Sequence, residues 1–239
     1  MPPAPSSPDL MIHTVAATVS TNDDVTRLAR EGAAEGTWLR AEQQTGGRGR
    51  QGRSWMSPPG NLYASTLVRL RGGDPGAATL SLVAAVALHE VVQAYAPAAQ
   101  IAIKWPNDLL SSGAKLAGIL LERHEESVIA GFGVNLAEYP AELERPATSL
   151  KALTGGAPDP ALFVEQLAER FADWLARWRS GGIGPVRAAW LDRAHPRGTA
   201  LSTAETDGLF EGLDDQGALR LRRADGSISV IQAGDVFLI

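Results

Sequence analysis

The sequence contains no cysteine among its 239 residues. Disulfide bonds, thiolate metal sites and cysteine nucleophiles are therefore excluded, and a reducing, cytoplasmic location is the simplest prediction. Lysine is nearly absent as well, because only Lys104, Lys115 and Lys151 occur among the 22 basic residues and all the others are arginines. In such a chain a lysine is expected where a compact, mobile ammonium is needed and a planar guanidinium would not fit.

We expect neither a signal peptide nor a membrane span, because the chain has no long uninterrupted apolar run. Residues 1–10 carry four prolines and neither a basic nor an apolar segment, which predicts a disordered leader. The most apolar stretch, residues 79–96, is interrupted by Ser81, His89 and Glu90 and does not predict a membrane span. Because the formal net charge is -5, the surface as a whole is not suited to nucleic acid, and we expect neither DNA nor a membrane among the partners.

Apolar periodicity predicts a mixed α/β domain over residues 11–194, with some antiparallel strand pairs. The predicted strands are residues 12–19, 37–41, 61–69, 101–104, 116–122 and 127–134. The predicted helices are residues 23–31, 79–95, a segment that begins at Asp159 and Pro160, and residues 185–194. The apolar stripe of the third helix, which includes Phe163, Phe171 and Trp178, is typical of core packing rather than of a ligand site.

Near residue 195 the sequence changes from helix-forming segments to short strands separated by turns. Beyond it, the turns Asp207-Gly208, Asp215-Gln-Gly217 and Asp225-Gly226 separate short strands at a spacing of about nine residues. This pattern predicts a small all-β barrel over residues 195–239.

The loop from Gln44 to Arg53 contains four glycines and three arginines. Glycines let backbone N–H groups approach an anion, and arginines bind phosphate or carboxylate oxygens in pairs. The loop matches G-x-G-x-x-G, but neither an apolar strand directly before it nor a helix directly after it supports a dinucleotide site. A Walker A loop is excluded because no Gly-Lys-Ser/Thr follows, whereas an RNA-binding Arg-Gly segment stays open.

Three further segments carry polar residues that suit a ligand site. Ser20-Thr-Asn22 lies between a strand and a helix, where it predicts either simple capping or a polar-ligand site. Lys104-Trp-Pro-Asn-Asp108 ends a strand at its proline, so its Asn-Asp pair is expected on the following turn, as turn chemistry or as a magnesium–phosphate partner. Lys115 opens the next strand, where a lysine that discourages edge pairing is the alternative to a functional ammonium.

In order and spacing, these motifs resemble those of the biotin protein ligase family over roughly residues 12–239. The motifs that carry the resemblance are Ser20-Thr-Asn22, Gln44-Thr-Gly-Gly-Arg48-Gly-Arg50-Gln-Gly-Arg53-Ser-Trp55, Lys104-Trp-Pro-Asn-Asp108, Lys115-Leu-Ala-Gly118, Gly131-Phe-Gly-Val-Asn135, Ala147-Thr-Ser-Leu150 and Ala233-Gly-Asp235-Val.

The resemblance implies a mixed-sheet catalytic domain of the biotin/lipoate ligase type followed by an SH3-like barrel. It implies an enzyme that joins biotin to AMP from magnesium-ATP and then transfers biotin to a lysine of a biotin carboxyl carrier protein, that of acetyl-CoA carboxylase or a related carboxylase. Because the Ser-Thr-Asn motif begins at Ser20, the stand-alone form without a DNA-binding domain is expected. A homodimer stays open.

The resemblance also implies residue roles. The biotin-binding residues are Ser20, Thr21, Asn22, Gln44, Arg48, Gly49, Arg50, Lys115 and Gly118. The ATP-binding and adenylate-binding residues are Arg48, Arg50, Arg53, Trp55, Lys104, Asn107 and Asn135. The catalytic residues are Lys115, Arg50 and Asp108, and Asp108 is also the magnesium ligand.

Two alternatives remain at this point. A lipoate or octanoate ligase shares the core fold, but such relatives lack the Gly-Arg-Gly-Arg and Lys-Trp-Pro-Asn-Asp combination. An RNA-binding module that uses the Arg-Gly loop predicts a basic surface, which the acidic balance disfavours.

Overall fold

The computed structural model describes residues 11–140 and 145–239, so the predicted leader lies outside the described residues. Its larger sheet has the strand order β1-β2-β3-β7-β6-β5-β4. These strands are β1 (Ile12–Thr18), β2 (Trp38–Gln44), β3 (Leu62–Arg69), β4 (Ile101–Lys104), β5 (Asp108–Ser111), β6 (Ala114–His124) and β7 (Ser127–Val134). β1 and β2 run parallel and the other neighbours run antiparallel, which confirms the predicted mixed sheet.

Five α-helices accompany the sheet in the described part of the chain. They are α1 (Thr21–Arg30), α2 (Leu80–Tyr95), α3 (Leu150–Thr154), α4 (Pro160–Gly181) and α5 (Ile183–Leu191). Asp159 begins α4 as predicted, because its carboxylate accepts the backbone N–H of Ala161. The aromatic stripe of α4 is core packing, since Phe171 meets both Trp38 and Phe132 edge to face.

Helix α2 is the most apolar element of the protein. Together with the turn before it, the segment Ala77–Tyr95 is long and apolar enough to cross a membrane by length and composition. Its side chains are instead largely buried against the sheet and against α4. The polar residue His89 is buried too, with Nε2 3.1 Å from the carbonyl oxygen of Ile101. α2 is therefore the central core helix of this fold.

Several element boundaries differ from the sequence predictions. A strand, β5, occupies the segment predicted as a connection, because Leu109 and Leu110 pair with β4 on one side and β6 on the other. This apolar pair is too short to show a periodicity in the sequence. α1 begins at Thr21 rather than Asp23, β2 continues to Gln44, and α5 ends at Leu191.

The C-terminal strands form a five-stranded antiparallel sheet in the order β11-β10-β9-β8-β12, as expected for the small β domain. They are β8 (Ala200–Thr203), β9 (Asp207–Leu213), β10 (Leu219–Arg222), β11 (Ile228–Ile231) and β12 (Val236–Leu238). Gly217 and Gly226 adopt positive φ in two of the predicted turns. The third predicted turn is wrong, because Asp207-Gly208 begins strand β9, where Ser202 of β8 pairs with Asp207. The Trp105 indole N–H donates to the Gly217 carbonyl, which joins this domain to the first.

A partly buried ion cluster ties α4 to the sheet. Glu35 accepts both Nη groups of Arg179 at 2.6 and 2.7 Å, Arg71 Nη2 at 2.7 Å and the Arg69 backbone N–H at 2.9 Å. Burial alone would raise the pKa of Glu35, but the bonds from Arg179 and Arg69 outweigh it and hold the pKa below its usual range. The cluster therefore stabilises the fold while Glu35 is ionised.

We expect Glu35→Gln to lower the free energy of unfolding by about 2 kcal/mol at neutral pH, because it leaves the partly buried Arg179 without its main charged hydrogen-bond partner. A folded-state pKa below the unfolded value gives stability that is present above the unfolded pKa and is lost as the pH falls through the folded pKa. Denaturant titrations should therefore show the wild type and variant converging in acid. Glu165→Gln, on the exposed face of α4, is the control. A difference that is constant from neutral to acid pH would contradict the prediction.

Candidate active site

A cavity of about 370 Å³ lies between the larger sheet, the Gly-Arg loop and the C-terminal domain. Its lining includes all the predicted site residues except Asn135. The residues concerned are Ser20, Thr21, Asn22, Gln44, Arg48, Gly49, Arg50, Arg53, Trp55, Lys104, Asn107, Asp108, Lys115 and Gly118. Segments that are far apart in the sequence thus converge on one site.

One end of the cavity is formed by the start of α1. Ser20 has the extended backbone of an N-cap residue, but its side chain makes no capping hydrogen bond. Thr21 instead donates its backbone N–H to the Gln44 side-chain oxygen at 2.9 Å, and Gln44 donates to Ser57 Oγ at 3.2 Å. The Ser-Thr-Asn motif therefore builds a buried polar surface facing the cavity, rather than only capping a helix.

The opposite end carries two of the three lysines. Asp108 Oδ1 lies 2.7 Å from Lys115 Nζ, and Asp108 Oδ2 lies 3.2 Å from Lys104 Nζ. Burial by itself would raise the pKa of Asp108, but the two ammonium groups outweigh it and hold the pKa below its usual range. Asp108 begins β5 instead of lying on a turn, since Lys104 and Asp108 face each other across the β4–β5 pair.

The donor set around Asp108 does not fit a magnesium ion held by the protein. Both of its carboxylate oxygens are engaged by ammonium groups, whereas magnesium in proteins usually takes one or two carboxylates together with substrate phosphates. Within residues 11–140 and 145–239, no group of three or more histidine, aspartate or glutamate side chains could hold a metal ion. The structure thus favours Asp108 as the residue that positions both lysines.

Trp55 forms a flat wall of the cavity. A Cβ added to Gly133 would lie 2.5 Å from Trp55 Cε2, and one added to Gly118 would lie 3.2 Å from Trp55 Cζ3. The ring therefore lies directly against two glycines of the sheet, where any side chain would displace it. Lys115 Nζ is 5.5 Å from the centre of the same ring, so the ammonium is held between Asp108 and an aromatic surface.

The three arginines of the Gly-Arg loop have different partners. Arg48 pairs with Asp23 at 2.5 and 2.9 Å, and hydrogen bonding to this guanidinium lowers the pKa of Asp23. Arg50 donates to the Gly234 carbonyl at 3.0 Å, and Arg53 makes two contacts with Asp235 at 2.8 and 2.9 Å. The loop is thus fixed on one side to α1 and on the other to the C-terminal domain.

The C-terminal domain supplies part of the cavity wall, which the sequence reasoning missed. Asp235, Val236, Phe237 and Leu238 line the cavity. The Val236 carbonyl accepts a hydrogen bond from Lys104 Nζ at 3.0 Å. Burial lowers the pKa of Lys104, although Asp108 acts in the opposite direction. Arg145, also missed, lies with its guanidinium carbon 3.8 Å from the centre of the Phe237 ring.

Asn135 is the predicted site residue that the structure does not place at the cavity. Its side-chain amide donates to the Thr148 carbonyl at 3.0 Å and lies 3.4 Å from the Lys115 carbonyl. Asn135 is buried, and its backbone N–H is bonded to the Leu116 carbonyl. In this arrangement Asn135 holds the backbone of the strand that carries Lys115, and its predicted contact with adenine stays a prediction.

Comparison with known families matches both domains of the chain. The Biotin/lipoate A/B protein ligase family matches residues 16–136, and the biotin protein ligase C terminal domain matches residues 199–239. Together with the fold and the cavity, these matches define the class of protein as a ligase of the biotin/lipoate type.

Individual relatives narrow this class. The chain is 44% identical to a biotin–[acetyl-CoA-carboxylase] ligase from Paracoccus denitrificans over 93% of this chain and 98% of the relative. It is 35% identical to a Mycobacterium tuberculosis protein of the same description, over 93% and 86% of the two chains. The solved biotin protein ligase from Aquifex aeolicus in complex with biotin and ATP superposes with a TM-score of 0.86 at 25% identity, covering 96% and 99% of the chains. The chain therefore belongs to the biotin protein ligase family.

Proposed function

We propose that the protein joins biotin to AMP from ATP and then transfers the biotin to one lysine of a biotin carboxyl carrier protein, that of acetyl-CoA carboxylase, in the cytoplasm. As a member of the biotin protein ligase family it is an ATP-dependent ligase. One observation carries the proposal. A single cavity is lined both by the buried polar residues at the start of α1 and by Lys104, Lys115, Arg50 and Arg53. The polar surface suits the neutral ring of biotin, and the basic residues suit the biotin carboxylate and the ATP phosphates.

The cationic end fits the first half of the reaction. A biotin carboxylate oxygen must form a bond to the α-phosphorus while the bond to the pyrophosphate oxygen breaks, so two anions have to be brought together. The Lys115 ammonium, held by Asp108, stabilises the charge that develops on the phosphoryl oxygens. Magnesium belongs to this proposal as the companion of the ATP phosphates, where it neutralises charge, rather than as an ion bound by Asp108.

In the second half, the amine nitrogen of the acceptor lysine attacks the acyl carbon and AMP leaves. The amine must lose a proton to do so, and solvent water or the departing AMP phosphate takes it. Asp108 is a poor base for this proton, because Lys115 and Lys104 hold its pKa below its usual range and occupy both of its oxygens. We therefore assign Asp108 to positioning the two lysines.

Mass spectrometry of the protein after incubation with biotin, ATP and MgCl₂ tests the proposal. We expect biotinyl-AMP bound to the protein and released pyrophosphate, followed by a mass increase of an unmodified carrier protein when it is added. Lipoate and octanoate, offered in place of biotin, should give no adenylate. The absence of biotinyl-AMP, or equal use of the fatty acids, would contradict the proposal.

We expect Arg50→Ala to release the adenylate intermediate about tenfold faster, because a charged hydrogen bond is worth roughly 1.5 kcal/mol or more. Arg50 lines the cavity, and the free energy of unfolding should change by less than about 1 kcal/mol. Dialysis of the preformed complex measures the release, and labelling of bystander lysines should increase. The control is Arg27→Ala, whose guanidinium is 59% exposed on α1. Unchanged release would remove Arg50 from the site.

A further inference from the structure

We propose that Glu122, which lies outside the cavity lining of the described residues, sets the hydrogen-bond donor and acceptor pattern of the polar end of the site. It does so through Asn22 and Ser65. The inference rests on the proposed function, because the pattern that results is complementary to a cyclic urea, the ring that distinguishes biotin from linear fatty acids. Glu122 is thus a positioning residue that determines specificity.

The first step is the orientation of the Asn22 amide. Asn22 Nδ2 lies 2.6 Å from Glu122 Oε2, and Asn22 Oδ1 lies 2.6 Å from Ser65 Oγ. An ionised carboxylate has no hydrogen to donate, so only the NH₂ end of the amide can face Glu122. The reverse orientation would place two oxygens in contact. Glu122 therefore fixes Asn22 Oδ1 towards Ser65.

The second step passes through the Ser65 hydroxyl, which is fully buried. Its one hydrogen is donated to Asn22 Oδ1, so towards Thr21 Oγ1, 2.7 Å away, it can only accept. The Thr21 hydroxyl must then donate to Ser65. The Gln44 side-chain oxygen, 3.1 Å from that hydroxyl, is satisfied by the Thr21 backbone N–H at 2.9 Å. This is the one proton arrangement that satisfies both short contacts of Ser65.

The groups left for a ligand follow from this arrangement. Asn22 keeps one N–H and one carbonyl lone pair, and Thr21 keeps hydroxyl lone pairs, so the two cavity-lining residues that this network orients offer one donor and two acceptors, beside the Ser20 hydroxyl and the Gln44 amide. A cyclic urea needs one donor for its carbonyl oxygen and two acceptors for its two N–H groups. The match depends on a carboxylate that is not itself part of the cavity lining.

The surrounding backbone leaves room for this network. A Cβ added to Gly131 would lie 2.1 Å from Asn22 Oδ1, so the bare backbone of β7 is what allows the amide to lie there. Arg48, 3.8 Å from Glu122 Oε1, is the cation that faces the other oxygen of this carboxylate. Glu122 therefore has Asn22 on one carboxylate oxygen and Arg48 of the Gly-Arg loop near the other.

The variant Glu122→Gln tests the proposal, because it keeps the shape of the side chain but can present either an oxygen or an NH₂ group to Asn22. Calorimetric titration of the full-length protein should show biotin and desthiobiotin, which share the urea, bound about tenfold more weakly. The affinity for iminobiotin, in which an NH group replaces the urea oxygen, should fall much less. The ratio of the biotin and iminobiotin affinities should therefore fall about tenfold. The KM for ATP should not change.

Two further variants sharpen the test. Glu126 lies at the end of the β6–β7 hairpin, and its side chain is 78% exposed. Glu126→Gln should leave the affinities for biotin and iminobiotin, and their ratio, unchanged. Ser65→Ala removes the hydroxyl that links Asn22 to Thr21. It should reduce discrimination between biotin and iminobiotin although Glu122 is intact. An unchanged biotin affinity in Glu122→Gln, or an equal loss for biotin and iminobiotin, would overturn the proposal. Failure of the wild-type protein to bind biotin would instead overturn the proposed function.

Discussion

Lys115→Arg is expected to lower the adenylation rate by about 10² or more while the protein folds normally, in line with the loss of one preorganised charge-stabilising donor. The Lys115 ammonium lies 2.7 Å from Asp108 Oδ1 and 5.5 Å from the centre of the Trp55 ring. A planar guanidinium is larger and cannot occupy the same point between a carboxylate and a ring that rests on the sheet. Pyrophosphate release under single-turnover conditions measures the effect.

Lys151→Arg is the matched control for this substitution. Lys151 Nζ is 3.3 Å from Glu138 Oε1, and both side chains are more than half exposed. An exposed pair of this kind contributes little, so the rate should stay within about twofold. If the two variants have the same rate, the rarity of lysine carries no functional information and Lys115 is not a catalytic residue.

Gly133→Ala should reduce adenylation by a comparable factor, about 10², through a single added methyl group. Its Cβ would lie 2.5 Å from Trp55 Cε2 and 2.7 Å from Trp55 Nε1, closer than these atoms can approach. The ring must then leave the sheet and take one wall of the cavity with it. Tryptophan fluorescence should report the displacement of the ring. The single-turnover rate should report the resulting loss of adenylation.

Gly156→Ala is the control for the glycine substitution, because a Cβ there meets nothing within 4 Å. Its rate and fluorescence should equal those of the wild type. A Gly133→Ala variant of normal activity would show that Trp55 is free to move and that its packing on the sheet does not shape the site.

Local patterns in the sequence predicted most of the fold. The α4 stripe and the Asp-Gly turns have periods or turn chemistry that a few neighbouring residues define. β5 escaped prediction because only two apolar residues form its centre and its existence depends on partners on both sides. Pairing across a sheet is a tertiary property that no short window of sequence contains.

The sequence predicted most of the polar residues that line the cavity, but neither the C-terminal part of its wall nor the contacts within it. Motif order indicated which residues converge, yet Arg48 pairs with Asp23 and Arg53 pairs with Asp235, 182 positions away in the sequence. Glu122 carried no signal either, since a glutamate near the end of a strand is ordinarily a solvated residue. Only the packing of α1 against the sheet shows that Glu122 accepts a hydrogen bond from Asn22.

The contacts that the Gly-Arg loop and Lys104 of β4 make with the C-terminal segment bear on how chimeras of this family can be made. Arg50 and Lys104 bind the carbonyl oxygens of Gly234 and Val236, which a backbone of any sequence would supply. Arg53 and Arg50 also contact a side chain, that of Asp235, at 2.8 and 3.7 Å. A grafted C-terminal domain would therefore keep these two carbonyl contacts whatever its side chains, and the identity of one acidic residue would decide whether the transplant preserves the ion pairs of Arg50 and Arg53.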